Sequence, residues 1–355
     1  MTRFRFSLSL AAAVGALVLI CAPAAAIPGW SSPLSVFTAR FGPAHSMALD
    51  STGHPMIASE GGLHPGIWFT SNQPSGGGGW FNLQLTHKDD AAPSIAVWND
   101  RFYIAFVRED PNNGHSLGLY TATNATGTVV VTKIDSGADY SPSVAVRDGK
   151  WSIAFHQAGS QHRLVYLTNA GGSWSSQTVD SSCCHGSLSL RLDSSGRPRI
   201  AYSDGSPMTS TGLKYALRTT GGTWSFQTID THQVDSPSLV FDPNQRPVIA
   251  YTRISQGTWY AARGASSWSV SQVNSQFLTP ADVALDAFGS PSIVTGNNGN
   301  IQYWTQSGSG WVDTVLTFTH EDSIPEIEKY QGKSKVIFNR ESGGTGDGIY
   351  FMKQT

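Results

Sequence analysis

Three guanidinium groups, on Arg108, Arg253 and Arg340, are the side chains best suited to grip an anion, because a planar guanidinium holds a carboxylate or sulfate through paired hydrogen bonds. Together they would seat an acidic sugar. Asp282 and Glu326 form a carboxylate pair of the kind that hydrolyses glycosidic bonds; their closeness would raise the pKa of one or let both hold a cation such as calcium. No other cofactor is expected. Tyr140, His45 and His320 can exchange a proton with a substrate, and His156, His185 and Asp204 can bind hydroxyl groups. Cys183 and Cys184 are adjacent. A bridge between them would be strained, since neighbouring Cα atoms lie about 3.8 Å apart, yet it would make a rigid apolar platform beside a site; two free thiols are the alternative. Cys-Cys-His in direct succession is not the spacing of a structural zinc site.

These residues are scattered along the chain, so a repeated scaffold must gather them. Ser189 to Asp230 and Ser238 to Val273 align with little adjustment. Each has alternating apolar residues, a tight Asp/Gly/Pro turn, a run such as Ile-Ala-Tyr, a longer loop, an aromatic-centred strand, then a Gly/Ser turn and Trp, which reads as a four-stranded antiparallel meander. The third-strand aromatic recurs at Phe69, Tyr120, Tyr166, Tyr215, Tyr260, Tyr303 and Phe351, with gaps of 43 to 51 residues. That is the period of a propeller blade. A fourth-strand Trp recurs at Trp80, Trp174, Trp224, Trp268 and Trp311, but the last repeat stops after its third strand. The segment from Ile27 to Leu34, with Gly29-Trp30, mimics the missing strand. The expectation is an all-β, seven-bladed β-propeller with blades 46–92, 93–140, 141–187, 188–236, 237–280, 281–323 and 324–355, the last closed by 27–40. Repeated aromatics at one place in every blade are expected to pack between sheets.

Parity assigns the ends of such a ring. Turns between strands 1 and 2 and between 3 and 4 share one end; they are short and read as inert hairpins. Loops 2 to 3 and 4 to 1 share the other end, and nine of the ten histidines map there, His54 excepted. That loop end is expected to carry function. First strands end there at Ser46, Ser94, Ser143, Ser189, Ser238, Asp282 and Glu326; second strands end there at Gly61, Arg108, Gln157, Asp204, Arg253, Asn297 and Arg340.

Residues 1–26 combine Arg3 and Arg5, an apolar run and Ala24-Ala25-Ala26, the pattern of a secretory signal peptide. The mature chain, 27–355, is expected to be one secreted domain and a monomer without a membrane span. The whole chain has 23 Lys+Arg against 25 Asp+Glu and is only 14% charged. Nucleic-acid binding is therefore not expected. Phosphate-binding loops, His-Glu-x-x-His and Gly-x-Ser-x-Gly are absent from the sequence.

The repeats SLRLDSSGRPRIAYSDG and LKYALRTTGGTW resemble those of secreted bacterial propellers of the sialidase-like and fucose-lectin-like kinds. The resemblance implies a propeller directed at carbohydrate. By position, it implies an arginine triad from Arg108, Arg253 and Arg340, and a nucleophile pair drawing on Tyr140 or Glu326. No Phe-Arg-Ile-Pro segment occurs, and the Asp-x-x-Gly turn lies between strands 1 and 2 rather than 3 and 4. The first expectation is recognition of an anionic glycan or polysaccharide at one asymmetric face, with Cys183, Cys184, His156, His185 and Asp204 beside the arginines. Alternatives are a glycan-cleaving enzyme, either a glycoside hydrolase or a polysaccharide lyase, and a protein-interaction scaffold.

Overall fold

The computed structural model describes residues 27–38, 44–62, 64–73, 79–113, 115–135, 137–158, 162–181, 183, 186–205, 212–276, 280–319, 321–341 and 346–355. The expected leader, 1–26, lies outside them. Among the described residues every regular element is a β-strand, and no helix is long and apolar enough to cross a membrane.

In chain order, β1 (Leu34–Thr38) precedes six consecutive four-stranded meanders. They are β2 (His45–Leu49), β3 (Pro55–Glu60), β4 (Ile67–Ser71), β5 (Phe81–Gln84); β6 (Asp90–Trp98), β7 (Arg101–Glu109), β8 (Ser116–Thr123), β9 (Val130–Lys133); β10 (Ala138–Arg147), β11 (Lys150–Ala158), β12 (Arg163–Thr168), β13 (Ser175–Asp180). The series continues with β14 (Leu188–Leu192), β15 (Pro198–Asp204), β16 (Gly212–Arg218), β17 (Trp224–Asp230); β18 (Val234–Phe241), β19 (Pro247–Arg253), β20 (Gly257–Arg263), β21 (Trp268–Gln272); β22 (Ala281–Leu285), β23 (Pro291–Asn297), β24 (Asn300–Ser307), β25 (Gly310–Val315). The seventh sheet has β26 (Asp322–Tyr330), β27 (Lys333–Arg340) and β28 (Gly348–Lys353), with β1 paired antiparallel to β28 as its outer strand. The protein is a seven-bladed β-propeller.

Burial follows position in the blade. Second strands are covered on both faces by neighbouring sheets, so they read as continuous apolar runs; Met56, Ile57 and Ala58 are fully buried, as are Ile249, Ala250 and Tyr251. Outer strands keep one face in solvent, and all four residues of β9 are exposed. Seven apolar clusters form the core, each shared by two consecutive blades, including one that joins blade 7 to blade 1. In blades 1, 4, 5 and 6 the turn between first and second strands is held by its own aspartate: Asp193 accepts the amides of Ser195 and Arg197 at 2.9 and 3.0 Å, and Asp286 those of Phe288 and Ser290 at 2.9 and 2.8 Å.

In four blades the third-strand ring meets the fourth-strand Trp of the next blade edge-on: Tyr166 with Trp224, Tyr215 with Trp268, Tyr260 with Trp311, and Phe351 with Trp80, at 5.2 to 5.6 Å; Phe69 of blade 1 packs instead against Phe102 at 4.6 Å. Trp30 completes the set against Tyr303 at 5.0 Å. Blade 2 corrects the expected series. The residue opposite the central Ala105 is Thr121, not Tyr120. Successive side chains on a strand face opposite ways, so Tyr120 points to the other face, where Arg108 lies 4.1 Å above its ring.

Candidate functional site

The first strands surround an axial channel of about 570 Å³, lined by His45, Arg191, Asp282, Glu326 and Glu328 among others. The ring of five serines and two acids expected there is present, and each member accepts the backbone N–H of the next blade. Ser46 accepts from Ile95 (3.3 Å), Ser94 from Val144 (3.1 Å), Ser143 from Leu190 (3.0 Å), Ser189 from Leu239 (3.1 Å) and Ser238 from Val283 (3.4 Å). Asp282 accepts from Ile327 at 2.8 Å, and Glu326 from Met47 at 2.7 Å, which carries the circuit from blade 7 to blade 1. In blades 2, 3, 5 and 7 a β-bulge sets the ring residue, and the residue before its proline has a left-handed φ: Ala92 (51°), Ser141 (46°), Ser236 (50°) and Ile324 (47°). A bulge re-aims a side chain. The Ser-Pro-Ser segments 141–143 and 236–238 are two of these bulges.

Asp282 and Glu326 therefore act in the frame as inter-blade acceptors. Burial pushes the Glu326 carboxyl well above the usual range, and the charges of Asp282 and Glu328 add to it. Burial also raises Asp282, against the amide of Ile327, the Ser238 hydroxyl and Arg191. Glu328 is raised to about 7, mainly by burial, with Arg191 opposing. Among the described residues no group of three or more His, Cys, Asp or Glu is placed to hold a metal ion. Glu326→Ala should strand the Met47 N–H and cost about 1–3 kcal/mol, read as a lower denaturation midpoint. Glu326→Gln, which keeps an acceptor oxygen, should recover most of the loss.

At the loop end Arg108, Arg253 and Arg340 occupy equivalent positions in blades 2, 5 and 7, no two of them neighbours. Each is clamped. Arg108 is bidentate to Asp90 at 2.6 and 2.9 Å, and Arg340 to Asp322 at the same distances. Arg253 donates to Asp230 at 2.6 Å and lies 3.4 Å above the Trp259 ring; Arg340 lies 4.3 Å above Tyr350. Each arginine pairs in register with a glycine, Gly118, Gly257 or Gly348, and the ring comes two residues later. Gly257 has φ 91°, and a Cβ there would sit 2.3 Å from the Asn274 carbonyl oxygen, so only glycine fits. In blade 4 the same places hold Asp204 and Lys214, paired at 2.8 Å.

Sequence reasoning did not single out the hub at Asp230. Its carboxylate, 2% exposed, accepts from Tyr251 Oη (2.6 Å), Arg253 Nε (2.6 Å), the His232 amide (3.0 Å) and His232 Nδ1 (2.8 Å). Those donors outweigh burial and hold its pKa down at about 2. His232 is half exposed, with its Nδ1 edge fixed on the acid. The Asp-x-His spacing was the available signal.

Tyr140 is exposed at the start of β10, opposite buried His156 on β11. His45 is buried on the channel wall. Cys183 is 2% exposed and disulfide-bonded. Cys184, His185 and His320 lie outside the described residues.

No protein-family model matches the chain, and no curated protein matches it. Solved structures do. An ulvan lyase of polysaccharide lyase family PL25 superposes with a TM-score of 0.64 at 11% identity, covering 91% of this chain and 94% of that one. A Staphylococcus aureus virginiamycin B lyase gives 0.61 at 11% identity, covering 92% and 100%. The Trypanosoma rangeli sialidase gives 0.54 at 10% identity; 93% of this chain is covered, but it spans only 59% of that enzyme. The likeness to sialidase and fucose-lectin propellers holds at the level of the fold.

Proposed function

We propose that the protein is an exported glycan-binding propeller that holds sugar rings at its loop end. The carrying observation is the threefold recurrence of a half-buried ring, a stacked guanidinium and a buried carboxylate: Tyr120–Arg108–Asp90, Trp259–Arg253–Asp230 and Tyr350–Arg340–Asp322. A fixed plane beside hydrogen-bonding edges suits sugar hydroxyls and the apolar sugar face. Because each arginine is matched by its own aspartate, the units are formally neutral, so binding here rests on shape and hydroxyls more than on charge. The glycan-related structures that share the fold support the same reading. A glycan array with the mature chain should give saccharide binding that falls about tenfold, ~1.4 kcal/mol, in Trp259→Ala or Tyr350→Ala. Silence on neutral and acidic sugars alike would overturn the reading.

A second reading, glycan cleavage by a lyase, is favoured by one feature. His232 has its Nδ1 anchored at 2.8 Å to buried Asp230 while the ring reaches solvent, the arrangement of an oriented general base. The ultraviolet absorbance of an unsaturated uronate product, present in the wild type and absent in His232→Ala, would establish it.

A further inference from the structure

The turn end, which sequence parity marks as inert, gathers charge that the chain keeps far apart. Two adjoining cavities open there between blades 3, 4 and 5, of about 520 and 280 Å³, with Arg197 lining both. Arg147, Lys150 and Arg218 line the larger, and Arg199 and Arg263 the smaller. Against these six cations the walls hold two carboxylates, Asp148 and Asp193, a formal excess of four positive charges. The whole chain is formally −2. The patch therefore has a local sign opposite to that of the protein.

The cations are held in place but only partly neutralised. Asp193 serves both Arg197 (3.2 Å) and Arg199 (2.5 Å). Arg147 is fixed by carbonyl oxygens, donating to those of Asp193 (3.2 Å) and Ser194 (2.5 Å), and lies 3.7 Å from exposed Asp148; Arg218 donates to the Gly222 carbonyl at 3.3 Å. Carbonyl partners orient a guanidinium while leaving its charge for another ligand. Lys150 and Arg263 form no ion pair among the described residues. This contrasts with the loop end, where each clamped arginine has its own acid.

We infer that the turn end of blades 3 to 5 is a second binding surface, for a polyanionic polysaccharide carrying sulfate or carboxylate groups. Guanidinium groups match both substituents. Thr219 and Thr220 in one cavity, and Gln227 and Gln245 in the other, add hydroxyl and amide partners for the sugar. The aromatic rings among the lining residues, Tyr166 and Tyr215, are 3% and 5% exposed, which leaves no platform for stacking bases. A charged sugar fits this surface better than a single-stranded nucleic acid. The two ends of the ring then take different parts of a glycan, hydroxyl-rich units at the loops and acidic ones at the turns.

The test is titration of the mature chain with dextran sulfate, with unmodified dextran and duplex DNA alongside. Dextran sulfate should bind, dextran should not at this end, and affinity should fall at least about tenfold from 50 to 200 mM salt, as expected when several charge contacts release counterions. Lys150→Glu/Arg263→Glu alters two cations that hold no ion pair, so folding should be spared, and a thermal melt checks this. It should weaken dextran sulfate at least about tenfold, whereas Lys88→Glu/Arg163→Glu, the same charge change at the loop end, should cost less than about twofold. Absent binding, equal losses in the two variants, or tighter binding of duplex DNA would overturn the inference. Loop-end sugar binding, tested with Trp259→Ala, can fail or succeed independently.

Discussion

Replacing Trp30 by alanine should lower stability by about 3–5 kcal/mol, the cost of emptying a buried aromatic site, and drop the melting temperature by about 4–7 °C for a domain of this size. Trp30 is 6% exposed and stands edge-on to Tyr303 at 5.0 Å, as the fourth-strand Trp does in other blades. Its segment is stitched to the chain's end: Ser31 N–H donates to Lys353 at 2.9 Å, and Thr355 N–H to Gly29 at 3.0 Å. Loss of this ring weakens both the blade 6 to blade 7 core and the seam between the chain's two ends. Trp174→Ala is the comparison. Trp174 meets Trp151 at 6.3 Å with tilted planes and is only partly buried, so its loss should cost less. An unchanged melt for Trp30→Ala would remove the N-terminal segment from the load the ring carries.

Raising the pH from about 5 to about 8 should weaken the fold, and Glu328→Gln should abolish part of that loss. The groups facing the lumen are Glu328, Glu326, Asp282, Arg191 and His45. Glu328 titrates at about 7 in the fold against 4.5 when free. For a carboxyl raised in this way, the unfolded chain ionises first. Its stabilising share is complete below about pH 4.5 and is lost as pH climbs through 7, up to on the order of 3 kcal/mol before screening by channel water. Asp282 and Glu326 are raised too and act in the same direction. Glu328→Gln should match the wild type near pH 4.5 and melt higher at pH 8. If the two profiles run parallel across that range, Glu328 is not the group responsible.

Particular residues show how far the chain could be read. The Trp series, with Trp30 standing in for the last member, was visible because most blades solve one packing problem with one ring, and repeated burial leaves repeated letters. Tyr120 misled because two residues of similar strand preference adjoin and only register tells them apart; the structure pairs Thr121 with Ala105. The ring of Ser46 to Glu326 was visible as a set, but its task was not, since the acceptor and its amide lie in different blades. The clamped arginines were visible as Arg108, Arg253 and Arg340, while Asp90 and Asp230, which pair with the first two, emerged only from the structure.

By itself the amino-acid order determined the blade count, the strand order and which end bears short turns, because these follow from local periodicity and turn chemistry. Only the tertiary structure decided where charge accumulates. Arg147, Arg199 and Arg263 are remote in the chain and come to line two adjoining cavities because consecutive blades bring equivalent turns side by side. Electrostatic fields sum over distance in space, and that distance is set by how the ring closes.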